Sequence, residues 1–453
     1  MFISINPATG EEGARFEALD DDGIEAALTR AQAAFRSWRV SEITQRMALL
    51  EANADQFEAN KQHLAETATL EMGKTLVSAV AEVEKCIAGF RHYAAKGAEY
   101  LAPVETKTVS GRAVGHWLPL GPILAVMPWN FPYWQVVRWL APTILAGNVG
   151  LLKHASLTQG CAALIQQMVS AAGAPDGVFR NLPITSDKVS RIIADKRVAA
   201  VTLTGSEGAG AKVAEAAGRA LKKVVMELGV SDPFNVMPSS DLDLAVKTAV
   251  KARVQNAGQS CICAKRMIVH ADVYDAFLEK FTAAMLAVKI GDPMKDGVEM
   301  GPLSSVEQRD TVLEQVGRAV ADGATLVGGE KIERDGAWMG AGVLTQVDPD
   351  ADFAQEEIFG PVAMVFRAAD IDAAIALAND VPFGLGSSVW TSDQAEIDRF
   401  VRDIESGMTA VNQLLASTPE APFGGVKLSG HGRELGPWGL HEFMNLKAVM
   451  LAD

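Results

Sequence analysis

The sequence predicts an α/β fold in which short apolar strands alternate with amphipathic helices to build a mostly parallel, doubly wound sheet. A strand–helix rhythm repeats from GPILAVMPW (121–129) to KKVVMEL (222–228), and a second series of the same kind begins at Asp232. The chain has 453 residues, more than one hydrophobic core usually supports, so we expect at least two domains.

The elements are predicted in the following order. Apolar residues recur at helical spacing through 22–101, and 105–121 alternates apolar and polar residues as a hairpin does. The first α/β unit has predicted strands at 121–129, 149–153, 178–183, 199–205 and 222–228, with helices at 134–146, 157–172, 187–196 and 209–220. The second has strands at 233–237 and 266–270, helices at 241–256 and 272–289, and further alternation to about Val411, before an extended tail at 441–451.

Composition limits the partners. The formal net charge is −15, from 41 Lys+Arg and 56 Asp+Glu, which disfavours nucleic acid and anionic membranes. Neither a signal peptide nor a bilayer-spanning apolar run is recognisable. Four cysteines in 453 residues do not suggest a disulfide framework, so we expect a cytoplasmic protein. We also expect no metal ion.

Three side chains are candidates for catalysis. Cys261, in NAGQSCICAKR, follows a helical stretch and small polar residues, which suits an accessible thiol on a tight turn; an inert buried cysteine is the alternative. Glu227 ends an apolar strand at the carboxyl edge of a parallel sheet, where a desolvated carboxylate serves as a general base; a salt bridge is the alternative. Asn130 lies between two prolines in MPWNFP, as a rigid oxyanion donor or an ordinary turn residue.

A cofactor site is indicated by LTGSEGAG (203–210) and LLKHAS (151–156). Gly205 and Ser206 stand at a strand-to-helix junction, where backbone N–H groups bind pyrophosphate, although the dinucleotide fingerprint GxGxxG is absent. Lys153 follows a strand, where its ammonium can meet ribose hydroxyls or phosphate; a surface lysine is the alternative.

Taken together, these motifs resemble the aldehyde dehydrogenase family. The resemblance extends from INPATG (5–10) to GRELGPWGLHEFMN (432–445) and includes MPWNFP, LAGN, LLKHAS, LTGS, MELG, GQSC, EEIFGPV, PFGL and PFGGVKLSGHGRELG in family order. Within the family, the sequence is most similar to bacterial short-type succinate-semialdehyde dehydrogenases.

The resemblance implies the following fold and roles. The fold has an atypical dinucleotide-binding domain (1–103 and 119–229), a catalytic domain (230–430), and an arm and tail (104–118 and 431–453) that join subunits into a homodimer or homotetramer. Cys261 attacks the aldehyde to form a thiohemiacetal, Asn130 and the Cys261 N–H hold the oxyanion, and Glu227 activates the water that hydrolyses the thioester. The remaining implied contacts are Trp129, Lys153, Gly205, Ser206, Glu357 and Phe359 with the nicotinamide cofactor, and Phe423 with the aldehyde.

A semialdehyde substrate carries a distal carboxylate and requires a cation. Arg138 lies eight residues after Asn130 and shares a helical face with Trp134, so we favour an Arg138 fork on the carboxylate with the indole on the carbon chain. An Arg138 that pairs with a neighbouring acidic residue is the alternative. Some relatives have a second arginine where this chain has Gln255. Carboxylate recognition would then rest on Arg138 with Ser417 or Thr418, and glutarate semialdehyde or uncharged aldehydes would be accepted.

Three further positions differ or stand out. Ser156 replaces the Glu of many NAD-preferring relatives and removes its repulsion of a 2′-phosphate, so we expect NAD or NADP and favour NADP. Val230 replaces the second Gly after the general base, which predicts an adjusted loop. Cys263 could form a reversible disulfide with Cys261 or be a spectator thiol. An enzyme that passes its acyl group to coenzyme A and a non-catalytic binding protein are the remaining alternatives.

Overall fold

The computed structural model describes residues 1–452. Its helices are α1 (Asp21–Trp38), α2 (Ile43–Ala59), α3 (Lys61–Met72), α4 (Leu76–Tyr100), α5 (Trp134–Ala146), α6 (Gln159–Ala171), α7 (Val189–Ala194), α8 (Glu207–Arg219), α9 (Leu242–Val254), α10 (Ala271–Leu286), α11 (Val306–Ala321), α12 (Ile371–Asn379), α13 (Gln394–Asp403) and α14 (Gly436–Glu442). Short 3₁₀ turns occupy Ser156–Thr158, Ser186–Lys188, Gln255–Gly258 and Asp352–Gln355.

The strands complete the inventory of elements. They are β1 (Phe2–Ile5), β2 (Glu12–Phe16), β3 (Val104–Thr108), β4 (Gly111–Pro119), β5 (Pro122–Met127), β6 (Val149–His154), β7 (Phe179–Asn181), β8 (Ala200–Thr204), β9 (Lys223–Glu227), β10 (Pro233–Val236), β11 (Arg266–His270), β12 (Thr325–Gly328), β13 (Gly342–Thr345), β14 (Val362–Ala368), β15 (Phe383–Gly384), β16 (Gly386–Trp390), β17 (Met408–Val411), β18 (Val426–Lys427), β19 (Gly430–His431) and β20 (Met444–Leu451).

Two largely parallel sheets carry the fold. The first has the order β19-β9-β8-β5-β6-β7 and is parallel except at β19, which pairs antiparallel with β9. The second has the order β12-β13-β14-β11-β10-β16-β17 and is parallel except between β12 and β13. Central strands such as β5 and β8 are buried along nearly their whole length because helices cover both faces of the sheet. The predicted α/β architecture is confirmed.

A third sheet joins the two segments that the sequence assigns to an arm. β4 lies between β3 and β20, both antiparallel to it, and β20 pairs along β4 from Met444–Pro119 to Leu451–Arg112. The two outer strands, β3 and β20, leave apolar side chains exposed, among them Val104 and Met450. Asp453, the last residue of the predicted tail, lies outside the described residues.

The structure differs from the prediction in several places. The hairpin β1–β2 at the start of the chain was not predicted, and the predicted helix 187–196 is a 3₁₀ turn followed by the short α7. The predicted boundary at 430 also differs from the packing, because Phe423 and Leu435 lie in the core of the first sheet with its helices. The pairing of β19 with β9 draws this late segment back to the first sheet. Among residues 1–452, no helix combines the length and apolar character that crossing a bilayer requires.

Candidate active site

Cys261 lies on a turn that a left-handed stretch of backbone creates. After α9, Asn256, Ala257 and Gly258 have φ values of 56°, 54° and 74°. Left-handed backbone is costly for residues with a Cβ and persists where surrounding contacts impose it. At Gly258 a Cβ would lie 2.2 Å from the Gly360 carbonyl oxygen, so glycine is required for space as well as for φ. The chain therefore turns sharply before the thiol, as the sequence predicts.

Side-chain amides fix this turn to the loop that carries Asn130. The Asn256 amide donates to the Asn130 carbonyl at 2.8 Å and to the Gln259 carbonyl at 3.0 Å. The Asn130 amide donates to the same Gln259 carbonyl at 3.2 Å. Gln259 donates to the Asn256 carbonyl at 3.0 Å and accepts from the Ser304 N–H at 2.9 Å. An amide nitrogen has two hydrogens, so Asn130 retains a second donor for an oxyanion.

Lys265 lies beneath the nucleophile, and the sequence analysis did not single it out. Its side chain is fully buried, and its ammonium donates to the carbonyls of Ser260 at 3.1 Å and Cys261 at 2.8 Å. The same ammonium forms an ion pair with Glu357 at 3.1 Å. Lys265 thus connects the backbone of the nucleophile to a residue for which the resemblance implies cofactor contact.

The thiol of Cys261 is half-buried, whereas the candidate base Glu227 is buried. Burial raises the pKa of Cys261 to about 12, while the charges of Arg138 and Lys265 lower it and that of Glu227 raises it. Burial and the charge of Glu434 hold the pKa of Glu227 well above its ordinary value. Glu227 ends β9 at the carboxyl edge of the sheet, and neither of its carboxylate oxygens has a hydrogen-bond partner within residues 1–452. A strong, unengaged base therefore lies within electrostatic reach of the thiol.

Arg138 is not the free fork that we predicted. Its guanidinium forms an ion pair with the buried Glu434 through Nε, and Nη2 donates to the Thr204 hydroxyl at 3.1 Å. The guanidinium also lies 4.7 Å from the centre of the Phe423 ring. The alternative in which Arg138 pairs with an acidic residue therefore describes the geometry. The local sequence does not reveal this partner, because Glu434 lies in a distant segment of the chain.

Two of the side chains predicted to surround the aldehyde, Trp134 and Ser417, meet at a lysine that was not predicted. Lys85 of α4 donates to the Ser417 hydroxyl at 2.7 Å and lies 4.6 Å from the centre of the Trp134 ring. The Trp134 indole N–H donates to the same hydroxyl at 3.0 Å. Thr418, the next residue in this loop, is exposed.

The cofactor candidates lie where the strands β6 and β8 end. Lys153 is buried but has no acidic partner within residues 1–452, and burial lowers its pKa. Ser206 is the N-cap of α8 without a side-chain cap bond. A Cβ on Gly205 would meet only the Leu203 side chain, at 3.5 Å, so the helix N-terminus is open to a ligand. An open helix N-terminus beside an unpaired ammonium fits a dinucleotide phosphate. Ser156 is exposed in the 3₁₀ turn that follows β6.

Aromatic contacts place the other cofactor candidates beside the nucleophile turn. The rings of Trp129 and Phe359 pack edge to face with centroids 5.7 Å apart. Burial raises the pKa of Glu357, and the Lys265 charge opposes that rise.

Val230 is buried in the first core with an ordinary φ, so its Cβ is accommodated without left-handed backbone. Cys263 is buried, with its sulfur 3.5 Å from the Gln255 carbonyl oxygen, and both Cys261 and Cys263 are free thiols.

Comparison with known proteins decides the family. Residues 1–449 match the aldehyde dehydrogenase family. The chain belongs to this family. It is 50% identical over 453 residues to succinate-semialdehyde dehydrogenase [NADP(+)] 1 of Mycobacterium bovis, covering 99% of both chains. It superposes on succinic semialdehyde dehydrogenase from Streptococcus pyogenes in complex with NADP+ with a TM-score of 0.98 at 38% identity, covering 100% of both chains. For succinate-semialdehyde dehydrogenase from Burkholderia pseudomallei the TM-score is 0.97 at 33% identity, covering 100% of this chain and 94% of that chain.

These comparisons confirm the predicted aldehyde dehydrogenase fold and the assignment to an enzyme family that oxidises aldehydes. Lys85, Lys265 and Glu434 of this aldehyde dehydrogenase were not predicted as site residues. Lys265 lies four residues after the nucleophile, a spacing that could have marked it, whereas Lys85 and Glu434 lie in segments with no local sign of a site.

Proposed function

We propose that this aldehyde dehydrogenase oxidises succinate semialdehyde to succinate with NADP+ as the hydride acceptor. The observation that carries the proposal is the convergence of the half-buried Cys261 with the buried Glu227 and Asn130 at one site. The relatives named for succinate semialdehyde and NADP+ support the choice of substrate and coenzyme.

The chemistry begins with a proton transfer from the thiol. Because the pKa of Cys261 is about 12, the thiol is neutral at pH 7, and Glu227 in its ionised form takes its proton. The sulfur then bonds to the aldehyde carbon, and the carbonyl oxygen, now negative, accepts hydrogen bonds from the Asn130 amide and the Cys261 N–H. Bound NADP+ supplies the acceptor for the hydride that leaves the thiohemiacetal carbon, and a thioester on Cys261 remains.

Hydrolysis regenerates the thiol. Glu227 first releases the proton it took from the thiol to solvent. It then removes a proton from water, the water oxygen bonds to the thioester carbon, and the C–S bond breaks as the proton held by Glu227 passes to the sulfur. The net reaction consumes aldehyde, water and NADP+ and yields the acid, NADPH and a proton. Because the pKa of Glu227 is raised, the fraction of competent base increases with pH, so the rate has a limb that rises with pH.

For the coenzyme, we propose that Gly205 and Ser206 hold the pyrophosphate and that Lys153 and Ser156 bind the phosphorylated ribose. Trp129, Glu357 and Phe359 flank the nicotinamide end. Ser156→Glu adds a negative charge beside the 2′-phosphate and should raise the KM for NADP+ at least tenfold while changing the KM for NAD+ much less. An equal change in both KM values would contradict this assignment.

A kinetic panel tests the reaction. Cys261→Ala should lose oxidation and retain NADPH binding, as measured by fluorescence titration. Glu227→Gln should slow free-acid release and leave an acyl-enzyme detectable by mass spectrometry. The panel compares succinate semialdehyde with glutarate semialdehyde and butanal, using both coenzymes. Formation of acyl-CoA in place of free acid, or full activity in Cys261→Ala, would refute the proposal.

We also propose a cytoplasmic homodimer or homotetramer. The free thiols of the chain support a reducing compartment. The exposed apolar residues Val104, Leu446 and Met450 on the sheet β20-β4-β3 support burial of that sheet between subunits. Light scattering should give at least twice the mass of 48.1 kDa, and Val104→Lys with Met450→Lys should reduce it.

A further inference from the structure

Arg138, the expected ligand of a distal carboxylate, already has partners. Its charge is balanced by Glu434, and Nη2 donates to Thr204. An arginine whose charge is already matched by a buried carboxylate attracts a second carboxylate weakly. The positive charge that a semialdehyde requires must therefore come from another side chain facing the same space.

Lys85 has the position for this task. Its ammonium forms no ion pair with any acidic residue in 1–452, although it points inward from α4 to Ser417 and the Trp134 ring. Gly89, one turn later on α4, lets the indole lie against the helix, since a Cβ there would stand 3.0 Å from the Trp134 ring. Lys85 therefore extends across one end of a flat aromatic surface.

The Ser417 hydroxyl completes a set of donors. Its oxygen accepts from the Lys85 ammonium at 2.7 Å and from the Trp134 indole N–H at 3.0 Å. A hydroxyl oxygen has two acceptor positions and one hydrogen, so both acceptor positions are used and the hydrogen remains to be donated. Lys85 has two further N–H groups. The cluster thus has only hydrogen-bond donors left to use, and an ionised carboxylate, which only accepts hydrogen bonds, is a matching ligand.

The charges around Lys85 connect the cluster to the reacting centre. Burial lowers its pKa to about 8; the Arg138 guanidinium lowers it further, and Cys86, Glu82 and Cys261 act in the opposite direction. Glu82 and Cys86 share α4 with Lys85, whereas Arg138 lies on α5 and Cys261 on the nucleophile turn. Lys85 lies over the ring of Trp134, which shares a helical face with Arg138, and the charges of Arg138 and Cys261 both act on it, so we place its ammonium beside the space where the aldehyde reacts.

We propose that Lys85 and Ser417 bind the distal carboxylate of the substrate, with Trp134 packed along its carbon chain. This inference rests on the proposed function, because it assigns the carboxylate end of the same substrate. Arg138 then acts as a positioning residue that holds Glu434.

The experiment compares Lys85→Met with Lys85→Arg and with Lys96→Met, an exposed lysine of the same helix paired with Glu99. In Lys85→Met, the KM for succinate semialdehyde should rise about tenfold to a hundredfold, with kcat and the constants for butanal changed less than about twofold. Lys85→Arg should recover part of the loss, and Lys96→Met should behave as wild type. In the wild type, the KM should rise above pH 8 as the ammonium loses its proton, and this limb should move to higher pH in Lys85→Arg.

Direct binding separates this inference from the proposed function. Glutarate binding to the Cys261→Ala protein is measured by calorimetry with and without Lys85→Met, and activity toward butanal reports correct folding in the Cys261 background. A wild type that prefers succinate semialdehyde, with the preference unchanged by Lys85→Met and lost in Arg138→Ala, overturns the site but not the function. A wild type without that preference, but with Lys85-dependent glutarate binding, overturns the function and supports the site. A wild type that neither prefers succinate semialdehyde nor shows Lys85-dependent glutarate binding overturns both the function and the site.

Discussion

Replacing Glu82 by Gln should destabilise the protein through one buried ion pair. Glu82 of α4 is ion-paired with Lys74, and both side chains are almost completely buried. The other Glu82 oxygen accepts from the N–H groups of Tyr133 at 2.8 Å and Trp134 at 2.9 Å, which caps α5 immediately after the Asn130 loop. Glutamine retains an acceptor for these N–H groups but places an N–H₂ group against the Lys74 ammonium, which becomes an unpaired buried charge.

The size of the effect follows from the burial. Breaking a buried pair by removing one charge costs about 3–5 kcal/mol. Unfolding entropy of about 2.1 cal/mol/K per residue gives about 0.95 kcal/mol/K for this chain, so Tm should fall by about 3–5 °C. The matched control is Glu84→Gln, on the same helix, whose exposed pair with Lys61 should contribute less than 1 kcal/mol.

Differential scanning fluorimetry of four proteins provides the test: wild type, Glu82→Gln, Glu84→Gln and the double variant Lys74→Met/Glu82→Gln. Removing both charges leaves no unpaired ion, so the double variant should recover most of the lost Tm. A Glu82→Gln shift no larger than that of Glu84→Gln would refute the reasoning, as would a double variant whose Tm is no higher than that of Glu82→Gln.

Three further predictions concern thiols and protons. Lys265→Met removes a cation that lowers the Cys261 pKa, so alkylation by iodoacetamide at pH 8 should slow about tenfold; an unchanged pH–rate profile would contradict this. Burial raises the pKa of Asp232 from 3.8 to about 7, so the folded protein holds a proton that the unfolded chain releases, and stability contributed by this group declines as pH rises from about 4 to 7. The Tm of Asp232→Asn minus that of the wild type should therefore be more positive at pH 8 than at pH 5. An equal difference at both pH values would count against this prediction. The Cys261–Cys263 disulfide stays a prediction: peroxide inactivation should be reversed by dithiol in wild type, and persistence of that reversible inactivation in Cys263→Ala would exclude it.

Local pattern was enough to predict most of the framework. Alternating apolar strands and amphipathic helices predict the two parallel sheets because burial on both faces leaves a visible periodicity. Glu227 at a strand end and Cys261 on a tight turn are likewise predictable, since strand ends and turns have local signatures. The structure agrees with both placements.

Partners from distant segments were not readable. The local sequence favours a substrate carboxylate as the partner of Arg138, and only the return of the chain near Glu434 reveals a protein carboxylate in that place. Lys85 lies in an amphipathic helix, where a lysine is usually solvated, and its inward direction depends on the packing of α4 against α5. The partners of Arg138 and Lys85 therefore depend on tertiary packing and could not be predicted from the local sequence.

The pairing of β19 with β9 has a consequence for how the enzyme is made. Glu227 is in register with Gly430, and Arg138 is paired with Glu434. The surroundings of both side chains are therefore complete only after residues near the end of the chain have been synthesised. Before then, β9 presents an unpaired edge and Arg138 an uncompensated charge. A chain interrupted before residue 430 is thus expected to be inactive and prone to self-association, and the onset of activity would report complete synthesis.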